Sequence, residues 1–553
     1  MGALGKGLLA VAATILLGAC GGDIVIAPET TDASTDNSRN NSNNTTTAVA
    51  DVRCPSYTNS GGQTIEGSVE GSNCVYAPSF VDAGNNLTVD LTIPALDDDG
   101  VHIFEGSLFV GENHDSDSEL AAAGIAEGGD GPKLTIEAGA TLAWRDNTRF
   151  IIINRGSQLF AVGTRDKPIT FTSVSDIEGT VGAEDVQQWG GMVINGFGVT
   201  NKCDYTGSVG ATLTTSDCHV ASEGAEGLDE SHYGGANNDD SSGRLEYVRV
   251  KHTGAEVANG DELNGITFGA VGRNTVVKNL QVYSTYDDGI EMFGGAVNFE
   301  NYVALYVRDD SIDIDEGYRG TITNALVIQQ ETDGNRCIEA DGIGSYSNKT
   351  EEFISDMFAR GLNSRPTIHN VTCIVSPSTG THDPGAGWRL REGIWPTISN
   401  ALVVSSFGMP AQGDDNWCIR ADDTVASEGF AQGNASISST VFACETKSAK
   451  SIAGMPVHEW LTANGGNVFV DVTGVVDATP NADTGVQLLE GTPPIYSIEA
   501  ATSMPSVEPV AVCGDGQAAC SFVGAVNEGG EDWTAGWTYG IHDGSRGQAL
   551  WFE

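Results

Sequence analysis

Residues 299–305 read FENYVAL and residues 322–328 read ITNALVI, so that each segment sets one asparagine among alternating apolar residues. Such alternation is typical of β-strands. The same phrase recurs as VKNLQV around Asn279, IHNVTCIV around Asn370 and ISNALVV around Asn400, and in degenerate form as ISSTVFA around Ser439. The first two spacings are 22 and 23 residues, and the later ones are longer because loops are inserted.

A second phrase follows each asparagine, and its third member is always a branched apolar residue. The copies are NGIT from Asn264, DGIE from Asp288, DSID from Asp310, RCIE from Arg336, WRLR from Trp388 and WCIR from Trp417. Two short strands and a turn in about 22 residues predict one coil of a parallel β-helix, in which stacked asparagines hydrogen-bond along the axis. The fold class that we predict is therefore all-β.

The charge balance is strongly acidic, with 75 Asp and Glu residues against 27 Lys and Arg residues and a formal net charge of −48. A chain with this balance repels phosphate, so we expect no nucleic-acid partner. An acidic surface suits a salty exterior or the collection of divalent cations.

The N-terminal segment predicts the cellular localisation. Residues 1–19 contain one lysine and the apolar run GLLAVAATILLGA, which indicates a secretory signal peptide. The sequence LGAC at 17–20 is similar to a bacterial lipobox, which implies cleavage before Cys20, lipidation of its thiol and, with Gly21 next, attachment to the outer membrane. Residues 20–50 are polar and read as a disordered tether.

Ten cysteines remain after Cys20, an even number that favours disulfides in a secreted chain. Proximity in sequence and in the repeat suggests five pairs: Cys54 with Cys74, Cys203 with Cys218, Cys337 with Cys373, Cys418 with Cys444, and Cys513 with Cys520. Around the repeats we expect an N-terminal disulfide-bearing cap region at 51–130, the β-helix at 131–445 and an irregular C-terminal cap region at 446–553. In that cap, DWTAGWTYG is expected to pack against the last coil.

Several longer motifs resemble a widespread group of bacterial surface lipoproteins, mostly of undefined function. They include GSQLFAVGTRDKPITFTS, WGGMVINGFG, EGLDESHYGG, SGRLEYVRVKHTG, ELNGITFGAVGRNT, DDGIEMFGG and the late FVGAVNEGGEDWTAGWT. The resemblance covers about residues 100–553. It implies a pectate-lyase-like, right-handed parallel β-helix, a single-stranded solenoid, and a place at the cell surface, but little chemistry.

Aligning the second phrase coil by coil predicts columns of like charge. The residue after the apolar member reads Thr267, Glu291, Asp313, Glu339, Arg391 and Arg420. Because consecutive coils lie about 4.8 Å apart, the three acidic members should be stacked neighbours, which destabilises a sheet unless their pKa values rise or a cation intervenes. Asp287 with Asp309, and Asp288 with Asp310, would form two further columns.

One interpretation of these columns is a calcium site, since Ca²⁺ takes six to eight oxygen ligands in irregular geometry. The candidate ligands are Asp288, Glu291, Asp310, Asp313 and Asp315. DDSIDIDEGY at 309–318 is not an EF-hand loop, because it lacks glycine at the sixth position.

A second interpretation is catalysis by Asp288, Asp309 and Asp310. YDDG followed one coil later by RDDS is similar to the aspartates of polygalacturonases, which use a general acid and a base. The polygalacturonase Gly-His-Gly has no counterpart in ETDGNRCIEADG, and RLREG at 389–393 only loosely matches the later Arg-Ile-Lys. For a lyase, Arg389 and Arg391 are the candidate bases.

The third interpretation is structural, with Asp and Asn favoured at turns, Glu339 paired with Arg391 and a solvated acidic edge without chemistry. Beside this edge, Arg389, Arg391, Trp388 and Trp417 are candidate ligand-binding residues, the tryptophans by stacking on sugar rings.

Three functions remain open at this stage. The first is an outer-membrane-anchored surface protein that binds an extended ligand such as a polysaccharide, with Ca²⁺ on the acidic columns. The second is a polysaccharide hydrolase or lyase that uses the aspartates. The third is an adhesive or structural surface protein, because β-helices serve all three.

Overall fold

The computed structural model describes residues 54–81, 84–222, 231–258, 261–380, 383–405, 409–472, 486–488, 498–500, 507–512, 521–527 and 530–552. The predicted signal peptide, Cys20, the tether and the pair Cys513 and Cys520 lie outside these residues. In the described part, no helix combines the length and the apolar character needed to cross a bilayer.

One face of the molecule is a sheet of ten parallel strands, which we call sheet A. Its strands are short because each coil contributes only one segment to this face. They are Leu108–Val110, Ile151–Ile153, Met192–Asn195, Ile266–Gly269, Ile290–Phe293, Ile312–Asp315, Arg336–Asp341, Ala386–Arg391, Trp417–Ala421 and Thr446–Ala449. Each strand pairs with the equivalent strand of the next coil.

The rest of the solenoid wall is sheet B, with eighteen strands that are parallel except for one antiparallel pair at its start. In chain order the strands are Ser68–Glu70, Asn73–Tyr76, Leu91–Ile93, His102–Phe104, Lys133–Ile136, Thr141–Trp144, Gln158–Val162, Ile169–Ser173, Gly243–Thr253, Val276–Thr285, Asn298–Leu305, Thr321–Ile328, Thr367–Ile374, Thr397–Ser399, Leu402–Val404, Ser436–Ser438, Val441–Ala443 and Val468–Phe469. Sheet A strands alternate with sheet B strands along the chain, so the predicted parallel β-helix is confirmed.

The long strands of sheet B bend at the repeated asparagine, which has a left-handed backbone. Asn279, Asn301 and Asn324 have φ values of 52°, 64° and 58°, a region that asparagine tolerates better than most residues. The Asn301 amide donates to Asn279 Oδ1 at 2.9 Å, and the Asn324 amide donates to Asn301 Oδ1 at 2.9 Å. The predicted asparagine ladder is therefore present in these three coils.

The bend at Asn301 leads to a prediction about stability. Asn301→Ala removes two ladder bonds and places an alanine in the left-handed region, so we expect the free energy of unfolding to fall by about 2–3 kcal/mol. Asn301→Gly removes the same bonds but adopts positive φ freely, so it should cost about 1 kcal/mol less. Thermal melts of both variants, followed by circular dichroism, test this; a glycine variant as damaged as the alanine variant would contradict the backbone argument.

The remaining elements of the described residues lie outside the two sheets. They include five helices, α1 (Asp117–Ala123), α2 (Val174–Ile177), α3 (Glu351–Arg360), α4 (Thr424–Ala431) and α5 (Val457–Ala463), and one 3₁₀ turn at Tyr346–Asn348. They also include six antiparallel pairs: Ser56–Thr58 with Thr64–Glu66, Thr206–Gly207 with Leu213–Thr214, Val220–Ala221 with His232–Tyr233, Glu256–Ala258 with Asp261–Glu262, Ser451–Ile452 with Met455–Pro456, and Val486–Leu488 with Ile498–Ala500.

Four of the five suggested disulfides are formed: Cys54–Cys74, Cys203–Cys218, Cys337–Cys373 and Cys418–Cys444. The third joins a sheet A strand to the following sheet B strand, since Cys337 lies in Arg336–Asp341 and Cys373 in Thr367–Ile374. The disulfides Cys337–Cys373 and Cys418–Cys444 are buried and form part of the core.

The C-terminal segment corrects one prediction, because DWTAGWTYG at 532–540 lies beside the middle coils rather than on the last one. The Gln281 side chain accepts from the Tyr539 N–H and donates to the Tyr539 carbonyl, both at 2.7 Å. Trp537 meets Tyr247 edge-to-face at 5.8 Å between ring centroids. Farther along, Asn400 forms the same two bonds with Val510. The segment covers apolar side chains on the outer side of sheet B, which would otherwise face water.

The parallel wall also extends past the predicted limits of 131–445. At the start, Asn73–Tyr76 already pairs in parallel with His102–Phe104, inside the region predicted as a cap. At the end, Val468–Phe469 still pairs with Val441–Ala443. At the start, segments without strands at 77–90 and 111–132 break the coil spacing, so that no regular period marks these coils in the sequence.

Candidate functional site

The acidic column predicted on sheet A is present, with one error in its register. Thr267, Glu291, Asp313 and Glu339 are successive partners, and the next two members are Arg389 and Arg420. Arg391 was predicted in this column, but it pairs with Asp341 two positions farther along the strand. Leu390 fits the inward pattern of the sequence equally well, but Trp388 occupies the position equivalent to Ile338 and Ile419.

A second column precedes the strands of sheet A, and its side chains bond to the backbone of the next coil. Asn264 Oδ1 accepts from the Asp288 N–H at 3.1 Å, and Asp288 Oδ1 accepts from the Asp310 N–H at 2.9 Å. Asp310 Oδ1 in turn accepts from the Arg336 N–H at 2.8 Å. These aspartates therefore hold consecutive coils together, as the structural interpretation expected of turn residues.

The two columns meet in two compact groups of carboxylates that share Asp288. In the first, Asp287, Asp288 and Asp309 each place an oxygen within 4.8 Å of the others. In the second, Asp288, Glu291 and Asp313 do the same. Oδ1 of Asp313 is buried and has no hydrogen-bond partner among the described residues. A buried, unsatisfied carboxylate oxygen among other carboxylates is costly unless a cation or a proton neutralises it.

The acidic columns are not the solvated edge that the structural interpretation assumed. Asp288, Glu291, Asp310 and Glu339 are only 5–7% exposed. Burial, together with the nearby carboxylates of Asp313, Asp287 and Asp310, raises the pKa of Asp288 well above its ordinary value. Burial and acidic neighbours likewise raise the pKa values of Asp310, Asp313 and Asp315.

Of the five predicted metal ligands, the structure brings three together, namely Asp288, Glu291 and Asp313. Asp310 and Asp315 lie in neither compact group among the described residues. The Asp310 carboxylate caps the Arg336 N–H, and Asp315 Oδ1 accepts from the Glu316 N–H at 2.5 Å. These two side chains are thus used by the backbone beside them.

Basic residues continue the column toward the C-terminal coils, and they are already paired. Arg389 contacts Glu339 at 3.1 Å and Asp422 at 2.7 Å, while Arg391 contacts Glu339 at 2.9 Å and Asp341 at 2.6 Å. Burial raises the pKa of Asp341 to about 7, although Arg391 acts in the opposite direction. The predicted pairing of Glu339 with Arg391 is confirmed. The side chains of Arg389 and Arg391 remain 24% and 31% exposed.

Comparison with known proteins agrees with this architecture. Residues 114–475 match the family model described as a pectate-lyase like beta helix domain, which is more than half of the chain. The chain belongs to this family.

Among solved structures, this pectate-lyase-like β-helix is similar to the crystal structure of the Dettilon tailspike protein. The two are 11% identical, the likeness covers 69% of this chain and 68% of that chain, and the TM-score is 0.21. A TM-score at this level carries no argument about fold or function. No curated protein matches the chain.

In this β-helix, the three aspartates proposed for catalysis lie together but are engaged with their surroundings. Asp288 and Asp310 cap backbone N–H groups, and Asp309 Oδ1 accepts from the Asn335 side-chain amide. Oxygens of Asp288 and Asp309 lie within 4.8 Å, whereas about 6.5–9.5 Å separates the carboxyl groups of an inverting glycosidase pair.

The prediction that Trp388 and Trp417 stack on sugar rings is wrong. Trp388 is fully buried in the core, where it meets Phe442 at 5.4 Å between ring centroids and its indole N–H points at Cys373 Sγ, 3.4 Å away. Trp417 is 1% exposed and lies beneath the guanidinium of Arg336, 5.0 Å from its ring centroid. Neither ring has a free face on which a sugar could stack.

Sequence reasoning did not name several residues as ligands or partners in this site. Asp287, expected only in a column with Asp309, belongs to the first carboxylate group. Asn264, in the coil before Asp288, donates to Glu291 Oε2 at 2.5 Å and so ties its coil to the acidic column. Asp341 and Asp422 complete the pairing of Arg389 and Arg391. The period of two along a strand was a usable signal for Asp341, because it lies two residues after Glu339 and therefore on the same face.

Proposed function

We propose that this protein binds an extended acidic polysaccharide along sheet A, with Ca²⁺ held by the carboxylates of Asp288, Glu291 and Asp313. The observation that carries the proposal is the unpartnered, buried Oδ1 of Asp313 within a group of carboxylate oxygens no more than 4.8 Å apart. A divalent cation would satisfy that oxygen and remove the repulsion within the column.

The donor set fits calcium by its chemistry. All the ligands are hard oxygens, and the group mixes buried carboxylates with nearby Asp287 and Asp309. Ca²⁺ accepts six to eight oxygens, including water, and tolerates irregular arrangements. A bound calcium would supply positive charge and open coordination positions to a sugar carboxylate.

The net charge of the chain explains why such a ligand would need the cation. A protein with a formal charge of −48 repels a polyanion over the range of its field. A bound calcium ion would replace this repulsion by attraction near the carboxylate groups. Arg389 and Arg391, which lie two coils beyond Asp313 and are partly exposed, would extend the favourable region along the column. Parallel coils give a regular lateral surface, which suits a polymer of repeating units.

The proposed localisation rests on the N-terminal sequence. The apolar run at 7–19 followed by Cys20 suits lipid attachment, and the polar residues to 50 suit a tether. We therefore place the β-helix at the outer membrane, held by lipid on Cys20, with its ligand outside the cell.

The test is retention of the full-length protein, purified in detergent, on immobilised polygalacturonate and alginate. We expect retention in calcium and release by EDTA. Asp313→Asn should weaken calcium-dependent retention at least about tenfold, because it removes a charged ligand from the cation group. Asp166→Asn, which changes an exposed aspartate away from the site, should leave retention unchanged.

Retention that persists in EDTA, or that is equal in both variants, would contradict the proposal. The same samples should be assayed for new reducing ends and for unsaturated sugar products, with Asp309→Asn beside the unchanged protein. Product release that Asp309→Asn abolishes would make these carboxylates catalytic instead.

A further inference from the structure

The acidic column of sheet A begins at Glu291, because the coil before it carries neutral side chains at the equivalent positions. Thr267 pairs with Glu291 on one side and with Val193 on the other. Asn264 precedes its strand as Asp288 precedes the next one. Asn264 and Thr267 are each only about 1% exposed, so their polar groups need partners within the protein.

The side chain of Asn264 finds these partners among the members of the carboxylate group. Its Oδ1 accepts from the Asp288 N–H at 3.1 Å. Its amide nitrogen donates to Thr267 Oγ1 at 3.0 Å and to Glu291 Oε2 at 2.5 Å. One buried asparagine therefore bonds to the backbone of Asp288 and to the carboxylate of Glu291, two of the three residues whose oxygens lie within 4.8 Å of one another.

The other end of the column is held in a chemically different way. Glu339 contacts the guanidinium groups of Arg389 at 3.1 Å and Arg391 at 2.9 Å, and these positive charges offset its own. The amide of Asn264 is a neutral donor. It orients the Glu291 carboxylate without cancelling the charge that a cation requires.

We propose that Asn264 is a positioning residue for calcium binding, which holds Glu291 beside Asp288 and Asp313 before the ion arrives. A glutamate side chain loses rotamer freedom when it binds a ligand, and ordering it in advance removes that cost from the binding step. Asn264 acts through Glu291 rather than on the ion, since its Oδ1 is engaged by the Asp288 N–H. This inference rests on the proposed function for the identity of the ion.

The experiment is calorimetric titration of the full-length protein in detergent with calcium. Asn264→Ala should weaken calcium binding at least about tenfold. In the Glu291→Gln background the same change should weaken it less than about twofold, because no charged ligand is left to position. A purely structural role for Asn264 would weaken binding equally in both backgrounds.

The matched control is Asn301→Ala, an asparagine on sheet B that also bonds to its equivalents in neighbouring coils. Its loss should lower stability but leave the calcium Kd unchanged. A Kd that falls into the same range for Asn301→Ala and Asn264→Ala would assign the effect to general loosening of the coils and would overturn the inference.

A charge exchange tests the same contact with variants that keep the size of both side chains. Asn264→Asp retains an acceptor for the Asp288 N–H but opposes the Glu291 carboxylate with another. Glu291→Gln then restores a donor facing an acceptor. In EDTA, Glu291→Gln should therefore raise the melting temperature more in the Asn264→Asp background than in the unchanged one. Equal shifts in both backgrounds would overturn the inference.

The titration separates failure of this inference from failure of the proposed function. Calcium binding that Asn264→Ala leaves unchanged, while Asp313→Asn weakens it, would remove the positioning role and leave the proposed function standing. An unchanged protein that takes up no calcium would remove both. A tenfold loss that disappears in the Glu291→Gln background would support both.

Discussion

Trp388→Ala should lower the free energy of unfolding by about 3–5 kcal/mol, the cost of removing a fully buried tryptophan from a core. Trp388 fills the inward position of its coil between Ile338 and Ile419, packs on Phe442 and lies against the Cys337–Cys373 disulfide. Alanine leaves a cavity that a stack of hydrogen-bonded coils closes poorly, because neighbouring strands fix the backbone on both sides.

The measurement is thermal and denaturant unfolding of the full-length protein, compared through apparent midpoints since a solenoid need not unfold in one step. Trp388→Phe is the control, because it keeps most of the apolar volume and should lose distinctly less stability. If Trp388→Ala instead unfolded like the unchanged protein and lost only carbohydrate binding, Trp388 would be a ligand-contacting residue rather than a core residue.

Calcium should raise the melting temperature, and its effect should grow with pH. Asp288, Asp310, Asp313 and Asp315 have pKa values raised by burial and mutual repulsion, whereas the unfolded chain has aspartate pKa values of about 3.9. Above about pH 4 the folded state therefore binds more protons than the unfolded state, so stability without metal falls as pH rises through the folded pKa values. Bound calcium replaces those protons.

The measurement is a series of melts between about pH 5 and pH 8, in EDTA and in calcium. At a hundredfold excess over its Kd, calcium should add about 2.7 kcal/mol. Asp313→Asn should flatten the pH dependence in EDTA and reduce the calcium effect, while Asp166→Asn should behave like the unchanged protein. A melting temperature near pH 8 that ignores calcium would rule out a cation in this group.

The part of the fold that sequence could predict is the part governed by short-range rules. Alternating apolar residues around Asn301 and Asn324 predict strands, and the equal spacing predicts stacking of like on like, so the acidic column from Glu291 to Glu339 followed directly. The register failed at Trp388, where an inserted loop breaks the spacing and both Trp388 and Leu390 satisfy the inward pattern. Only the pairing partner distinguishes two positions on one face of a strand.

The sequence by itself determined the parallel solenoid, its asparagine ladder and the coincidence of carboxylates in adjacent coils, because a repeat stacks each residue on its own equivalent. The tertiary structure alone decided which of these groups are buried. It also decided that Asp288 and Asp310 accept hydrogen bonds from backbone N–H groups of the next coil, and that Asp313 has a carboxylate oxygen without a hydrogen-bond partner among the described residues. It also decided that residues 530–552 lie along sheet B. Burial and such long-range contacts depend on the whole chain around a residue, and no local pattern encodes them.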